Sequence, residues 1–474
     1  MNLQSLPKVT VVDALMGAGK TTLVIRKMKE IALSFESLFE DGAHRFIYIT
    51  PFLEEVERVK KSLNEDPEIA GSSAGRNVAF DPMPEGGRKL CGLNRLLAEG
   101  QNIVATHALF KHVDEATGEA LENYRYTLFV DEVAEWVERY EISTQDLRML
   151  FDSGRLKVNR ETKRVDWIDP PEGYRGKFDP LRSLCLQGKI VASRFAPNED
   201  VPVLLLWQMP TEFLAHFERV YIFTHLFEGS DMSAYLRLHG VEVEKATIGR
   251  DGTMVPYDPA IEAERVECIK RLVEIEEDPV LNAVGRKTGR SNPLSKGWFD
   301  SDRRSGEIGA TKLARATRNF FVHRCGTPSG SNLWSTFNKF RKALQGSGYA
   351  RSFLACNARA TNDYRDRVSL AYLVNLYRHP FIRGYFEDHG VATSDDFYAL
   401  GTLTQWIWRS AIRDGKPIKV FIPSERMRGL LRDWLDGKLP SIDGSGEGEP
   451  DRAATEGEPE GHEEQTFDTE PEFA

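Results

Sequence analysis

Apolar and polar positions fall in blocks along this chain. The segment Lys8 to Asp13 is short and β-branched, and it runs through MGAGKTT (Met16 to Thr22) into LVIRKMKEIALSF, whose apolar residues recur at helical spacing. The order predicted is strand, loop, helix. FIYIT (Phe46 to Thr50), closed by Pro51, reads as a further strand, and a charged helix begins near Leu53. NIVAT (Asn102 to Thr106) and YTLFVDE, which ends at Asp131 and Glu132, read as two more. Apolar strands alternating with helices predict the α/β class, a parallel sheet covered on both faces, with residues of functional interest at the carboxyl ends of its strands.

The stretch Leu156 to Pro202 is irregular, with Pro170-Pro171 and scattered charge, and reads as an insertion (about 152–202) or a small β-rich elaboration. The sheet pattern resumes with VPVLLLW (Val201 to Trp207) and VYIFT (Val220 to Thr224), and a linker-like region from Arg250 to Pro259 predicts a domain boundary. Beyond it NFFVH at Asn319, SFLAC at Ser352 and IKVFI at Ile418 are strand candidates with helical stretches between them. The organisation expected is a first α/β domain over 1–250, a second over 251–440, and a tail over 441–474. There is no internal repeat.

Composition changes this picture in one place. The formal net charge is −10, yet Ser441 to Ala474 holds twelve acids against the single base Arg452, so residues 1–440 carry a net charge of +1. The tail is rich in Glu, Gly and Pro and poor in aliphatics; it cannot bury enough surface to offset the entropy of ordering and is expected to be disordered. It has the chemistry to dock on a basic groove of a partner such as a replication protein, to compete with nucleic acid for the chain's own basic surface, or simply to solubilise. Five widely spaced cysteines (Cys91, Cys185, Cys268, Cys325, Cys356) without a CxxC pair argue against a zinc site or a disulfide framework. No stretch approaches the ~20 apolar residues of a membrane span, so the expectation is a cytoplasmic protein with no membrane partner.

The candidate chemistry sits at the predicted strand ends. A loop that wraps phosphate with backbone N–H groups needs glycine where a side chain would block the approach, and Gly17 and Gly19 supply it. In the run Met16, Gly17, Ala18, Gly19, Lys20, Thr21, Thr22, Lys20 would reach the outer phosphates of ATP and Thr21 would coordinate Mg2+. The pattern G-x-x-x-x-G-K-[ST] departs in one position, Ala14 for the first Gly. Four apolar residues ending in paired acids suit the other half of such a site, with Asp131 on the metal's water and Glu132 polarising the attacking water; the same acids would also suit a solvated strand end. In YALGTLTQWIWRSAIRDG, Gln405, Arg409 and Arg413 recur every four residues, which predicts one helical face able to bring guanidinium groups to a γ-phosphate. Between Arg286 and Arg324 ten bases stand against three acids, a segment suited to a phosphate backbone, with Trp298 and Phe299 as candidates for stacking on bases.

Read together, MGAGKTT, ITPF, VATHALF, VDEVAE, CNARATND and QWIWRSAIR resemble, in order and spacing, the motifs of superfamily 2 (DEAD-like) helicases with two RecA-like domains, in particular tailed-phage replication helicases and herpesvirus-type origin-binding helicases. The resemblance covers about Val9 to Ser424. It implies that Thr50, Pro51, Thr106 and His107 contact the nucleic-acid backbone from the first domain, and that Arg359, Thr361 and Asn362 touch nucleic acid and nucleotide from the second. It also implies that Arg409 and Arg413 act as fingers. Trp408 stands where the family has Gly, Arg413 comes four rather than three residues after Arg409, and the Ser-Ala-Thr coupling motif is absent, with Thr224 and His225 in its position. The function implied is an ATP-dependent helicase or translocase working on single-stranded or forked DNA in viral replication. Two other classes use the same loop and acids: a terminase-like DNA-packaging ATPase, and a nucleotide-switched nucleic-acid-binding protein.

Overall fold

The computed structural model describes residues 6–34, 43–72, 78–170, 173–195, 202–289, 291–357 and 363–442. The chain is α/β and divides into two compact units. The first comprises Met1–Ala14, Ala18–Tyr257 and His379–Thr393, and the second Leu15–Gly17, Asp258–Arg378 and Ser394–Ala474. All of the tail beyond Ile442, on which disorder and partner docking were expected, lies outside the described residues.

The strands of the first unit are β1 (Lys8–Asp13), β2 (His44–Thr50), β3 (Ile103–Thr106), β4 (Arg125–Asp131), β5 (Val137–Tyr140), β6 (Leu156–Val158), β7 (Val165–Trp167), β8 (Ile190–Phe195), β9 (Pro202–Gln208), β10 (Phe217–Thr224), β11 (Val243–Ile248) and β12 (Met254–Pro256). A seven-stranded sheet has the order β12-β11-β1-β10-β4-β2-β3, parallel except for β12. The inner stretches of its central strands are largely apolar because both faces are covered. Val9, Val11, Ile47, Ile49, Leu128, Val130, Val220 and Ile222 belong to one core, and Val12, Phe46, Tyr48, Phe129, Tyr221 and Phe223 to another. This is the alternation of period two expected of a strand sandwiched between layers. The second face is closed by Leu23, Val24 and Met28 of the helix Lys20–Leu33 and by Val56, Val59 and Leu63 of the helix Leu53–Asn64.

Two expectations about the first unit need revision, and one region carries more structure than expected. VPVLLLW does not resume the parallel sheet: β9 is the centre of a separate antiparallel sheet, β5-β9-β8, accompanied by the hairpin β6-β7. Its unbroken apolar run reflects the core into which Leu204, Leu205 and Leu206 are packed, and periodicity alone does not tell one buried strand from another. The linker-like region contains β12, paired with β11 through the turn at Gly249 to Gly252, and the two units part within it, between Tyr257 and Asp258. The helix Pro380–Asp388, far along the chain, returns to this unit and packs Ile382, Tyr385 and Phe386 into the first core.

In the second unit β13 (Val273–Ile275), β14 (Asn332–Ser335), β15 (Ser369–Tyr372) and β16 (Ile418–Phe421) form a parallel sheet of order β13-β16-β15-β14. IKVFI is the strand expected, whereas NFFVH is not a strand. Asn319 ends the helix Ile308–Asn319, and Phe320 and Phe321 continue in a wider helical turn to Cys325. Two adjacent buried aromatics mimic a strand but are swallowed together by the core, where Phe320 stacks on Phe421 and Phe321 packs on Tyr349. SFLAC contributes only an isolated bridge from Phe353 to Trp334.

Candidate functional site

The register of the parallel sheet aligns the strand ends of the first unit in one row. Asp13 is level with Thr224, Phe223 with Asp131, and Thr50 with Thr106. With strand order β1-β10-β4-β2-β3, the loop after Asp13, the Thr224-His225 pair, the Asp131-Glu132 pair, Thr50-Pro51 and Thr106-His107 therefore share the carboxyl edge of one sheet. An open parallel sheet binds its ligands at this edge.

The loop is shaped by its glycines. Gly17 and Gly19 have φ of 80° and 95°, a region open to glycine without a Cβ clash, and Lys20 opens a helix of fourteen residues directly behind them. The Lys20 ammonium donates to the Ala14 carbonyl at 2.6 Å, so the side chain folds back over the loop. Thr21 is half-buried and Thr22 exposed in the first turn, while Met16 is buried. Ala14 itself donates N–H to the Thr224 carbonyl at 3.0 Å, and the Asp13 carboxylate accepts the N–H groups of Leu226 and Phe227 at 2.8 and 2.9 Å. These bonds tie the loop to the end of β10.

The Asp131 carboxyl is half-buried at the end of β4. Burial first, and the neighbouring Glu132 charge second, push it up to about 7; a hydrogen bond donated by the Tyr48 hydroxyl at 2.8 Å and the Lys20 charge act in the opposite direction. Glu132 has φ of 62°, uncommon for a side-chain-bearing residue, and its N–H is fixed on the Phe223 carbonyl at 2.8 Å. Between the loop and these acids, His225 is held well below its ordinary pKa by burial first and the Lys20 charge second. The buried Thr224 hydroxyl finds no hydrogen-bond partner among the described residues. The set of a backbone cradle, one ammonium, two carboxylates and an unsatisfied hydroxyl fits a triphosphate with a divalent cation.

Farther along the same edge the side chains are more enclosed. Thr50, Thr106 and His107 are buried, Pro51 is half-buried, and the Thr106 hydroxyl caps the short helix His107–Lys111 by accepting the Leu109 N–H at 3.3 Å. The far end of that helix is held by Lys189, only 2% exposed, whose ammonium donates to the Lys111 carbonyl at 3.1 Å and to that of Val113. Burial pushes Lys189 down to about 8.

In the second unit the expected helical face is interrupted. The helix Asp395–Ile407 includes half-buried Gln405 but ends before Arg409, because Ser410 turns its backbone extended and its hydroxyl bonds back to the Ile407 carbonyl at 2.7 Å. Arg409 lies in the connecting turn and is 8% exposed, whereas Arg413 sits in the separate 3-10 turn Ala411–Asp414 and is exposed. The three side chains do not share a helical face. Arg359, Thr361 and Asn362 lie outside the described residues. Phe299 cannot stack on bases: it is buried in the second unit's core, stacked on Phe340, and Trp298 packs beside it.

Tyr48 and Asp13 were not among the residues singled out from sequence. A phenol in the otherwise apolar run FIYIT is the one signal that Tyr48 offered; its partner is 83 residues away.

A family model described as the YonV C-terminal Rossmann-like domain matches residues 267–435, and one described as the YonV middle domain matches residues 137–207. The latter range coincides with the antiparallel sheet and its hairpin. The SPbeta prophage-derived uncharacterized protein YonV of Bacillus subtilis (strain 168) is 34% identical over 443 residues, covering 91% of this chain and 99% of its own. Solved structures with a distant likeness include the Mycobacterium smegmatis helicase Lhr bound to ssDNA and AMP-PNP, at 12% identity and a TM-score of 0.33, covering 91% of this chain and 47% of that one. The yeast DEAD-box splicing factor Prp28 follows at 15% identity and a TM-score of 0.26, covering 93% and 80%. This chain thus spans about half the length of the Lhr chain, and TM-scores this low do not establish a common arrangement. No helix among the described residues is long and apolar enough to cross a membrane.

Proposed function

The chain belongs to the YonV family, and we propose that it is a nucleic-acid-dependent ATPase, a helicase or translocase of phage origin, fuelled at the carboxyl edge of its first sheet. The observation that carries this reading is the alignment, in one row of strand ends, of the glycine loop with Lys20 and of the Asp131-Glu132 pair one strand beyond β10.

In this reading the backbone N–H groups of Gly17 to Thr21 cradle the β-phosphate of ATP, and Lys20 leaves the Ala14 carbonyl for the outer phosphates. Thr21 and Asp131 would hold Mg2+, which when bound neutralises charge on the β- and γ-phosphates. Asp131 then carries its negative charge without the desolvation cost that raises it in the free protein, and Tyr48 keeps the carboxylate aimed. Glu132, its backbone held on β10, orients the attacking water and accepts its proton.

The track proposed is nucleic acid. Thr50, Pro51, Thr106 and His107 end their strands on the same edge as the nucleotide loop, and hydroxyls with strand-end N–H groups bind phosphates without reading sequence. The prophage origin in the relative's name is in keeping with a viral role. The test is ATP turnover by the full chain with single-stranded, duplex and forked DNA and with RNA. Stimulation by any of these supports the reading. Turnover that no nucleic acid alters contradicts the motor, and the absence of turnover contradicts the enzyme.

A further inference from the structure

The segment 286–324 of the second unit carries ten bases against three acids, and the fold decides which of these charges face solvent. The helix Lys296–Arg304 ends on Arg303 and Arg304, both exposed, and the helix Ile308–Asn319 follows it. The latter buries Ala310, Leu313 and Thr317, leaving Thr311, Lys312, Arg315, Arg318 and Asn319 exposed on the opposite side. Steps of three and four residues keep these in one stripe.

Two of the acids are turned to other work. The Asp302 carboxylate accepts the N–H groups of Gly309 and Ala310, each at 2.8 Å, at the start of the second helix, and Asp300 is paired with Lys339 at 2.7 Å. Arg324 is tied to Asp278, but among the described residues Arg303, Arg304, Lys312, Arg315 and Arg318 enter no ion pair. The aromatic residues of the segment are also withdrawn. Phe299 is in the core, and Trp298 lies so close over Gly309 that a Cβ added there would come within 2.7 Å of its ring.

We propose that the stripe Lys312-Arg315-Arg318, extended by Arg303 and Arg304, holds the phosphate backbone of double-stranded nucleic acid. This rests on the reading of the chain as one that acts on nucleic acid. Single strands are held by stacking their bases on exposed aromatics, which this face does not offer. A duplex asks only for cations and has the denser charge, about one per 1.7 Å of axis. Lys312 to Arg318 spans about 9 Å at ~1.5 Å per residue, the reach of roughly two to three nucleotide steps along one strand.

The experiment measures binding of the full chain, without nucleotide, to a labelled duplex and to a single strand of equal length over about 50 to 200 mM salt, the range in which phosphate neutralisation dominates. The triple variant Lys312→Gln, Arg315→Gln, Arg318→Gln should lower the steepness of log affinity against log salt by roughly 2.7 for the duplex, about 0.9 for each phosphate no longer neutralised. Its affinity for Mg2+-nucleotide should equal that of the wild type. The pair Arg315→Lys, Arg318→Lys should keep the wild-type steepness, since only charge is required. Should the triple variant fail to fold, Arg315→Gln alone should lower the steepness by about 0.9. An unchanged steepness, an equal loss for the single strand, or a face that takes polyglutamate and not duplex overturns the assignment while leaving the ATPase reading intact. A wild-type chain that binds neither nucleic acid overturns both.

Discussion

Removing one hydroxyl, by Tyr48→Phe, isolates what keeps Asp131 available to a cation. In the free protein the Asp131 carboxyl is already pushed up to about 7, chiefly by burial, and the Tyr48 hydrogen bond at 2.8 Å is the largest influence pulling it back. A hydrogen bond to a charged group contributes roughly 1.5–3 kcal/mol, which at 1.36 kcal/mol per decade makes the carboxylate about 12 to 150 times more avid for its proton once the donor is gone. At pH 7.5 the wild-type group is roughly three-quarters ionised; in Tyr48→Phe the ionised fraction falls about four- to fortyfold. Because the cation binds the ionised form, the Mg2+ concentration that half-saturates binding of a fluorescent ATP analogue should rise by that factor. At pH 9 roughly two-fifths to nine-tenths of the variant's carboxyls ionise again, and the defect should shrink to roughly threefold or less. A Mg2+ requirement that does not change, or a defect of equal size at both pH values, would refute the role given to Tyr48.

Three further outcomes follow from the fold of the first unit. Lys189 titrates near 10.5 unfolded and about 8 in the fold, so the unfolded chain holds the extra proton between those values and stability should rise with pH across that window, by roughly 3 kcal/mol. The rise should be lost in Lys189→Met and so appear in the wild-type-minus-variant difference measured by denaturation at pH 8 and 10; parallel curves would refute it. Gly92→Ala places a Cβ 2.0 Å from the Met83 carbonyl oxygen and should cost about 1–3 kcal/mol, read as a lower thermal midpoint; an unchanged midpoint would exclude the close approach. Thr106→Ala removes the cap on the Leu109 N–H and should cost about 1 kcal/mol by chemical denaturation, whereas a neutral result would mean that the hydroxyl serves only a ligand.

What could be read in advance was local. The strand-loop-helix around Lys20 and the apolar run ending in Asp131 are contiguous segments whose propensity, glycine placement and burial agree, and they fold as expected. Where residues misled, the surroundings decided. VPVLLLW has the composition of any buried strand, and its sheet is chosen by pairing with β8 just before it and with β5, distant in the chain. Phe320 and Phe321 look like a strand because both faces of their helical turn are covered. β13, β14 and β15 are three to four residues long, too short for periodicity to register. The four-residue spacing of Gln405, Arg409 and Arg413 promised a face that Ser410 breaks by bonding its own helix end. Tyr48 was invisible as a partner of Asp131 because that contact exists only once β2 and β4 lie side by side.

The central claim, that Lys20 and the Asp131-Glu132 pair form one nucleotide site, is tested most directly by measuring ATP binding and ATP turnover in parallel on the wild type, Lys20→Ala and Glu132→Gln. The account predicts that Lys20→Ala loses both, and that Glu132→Gln binds Mg2+-ATP with near wild-type affinity while its turnover falls by at least about a hundredfold, the scale of a missing general base. Wild-type turnover in either variant, or a wild-type chain that binds no Mg2+-ATP, would contradict it.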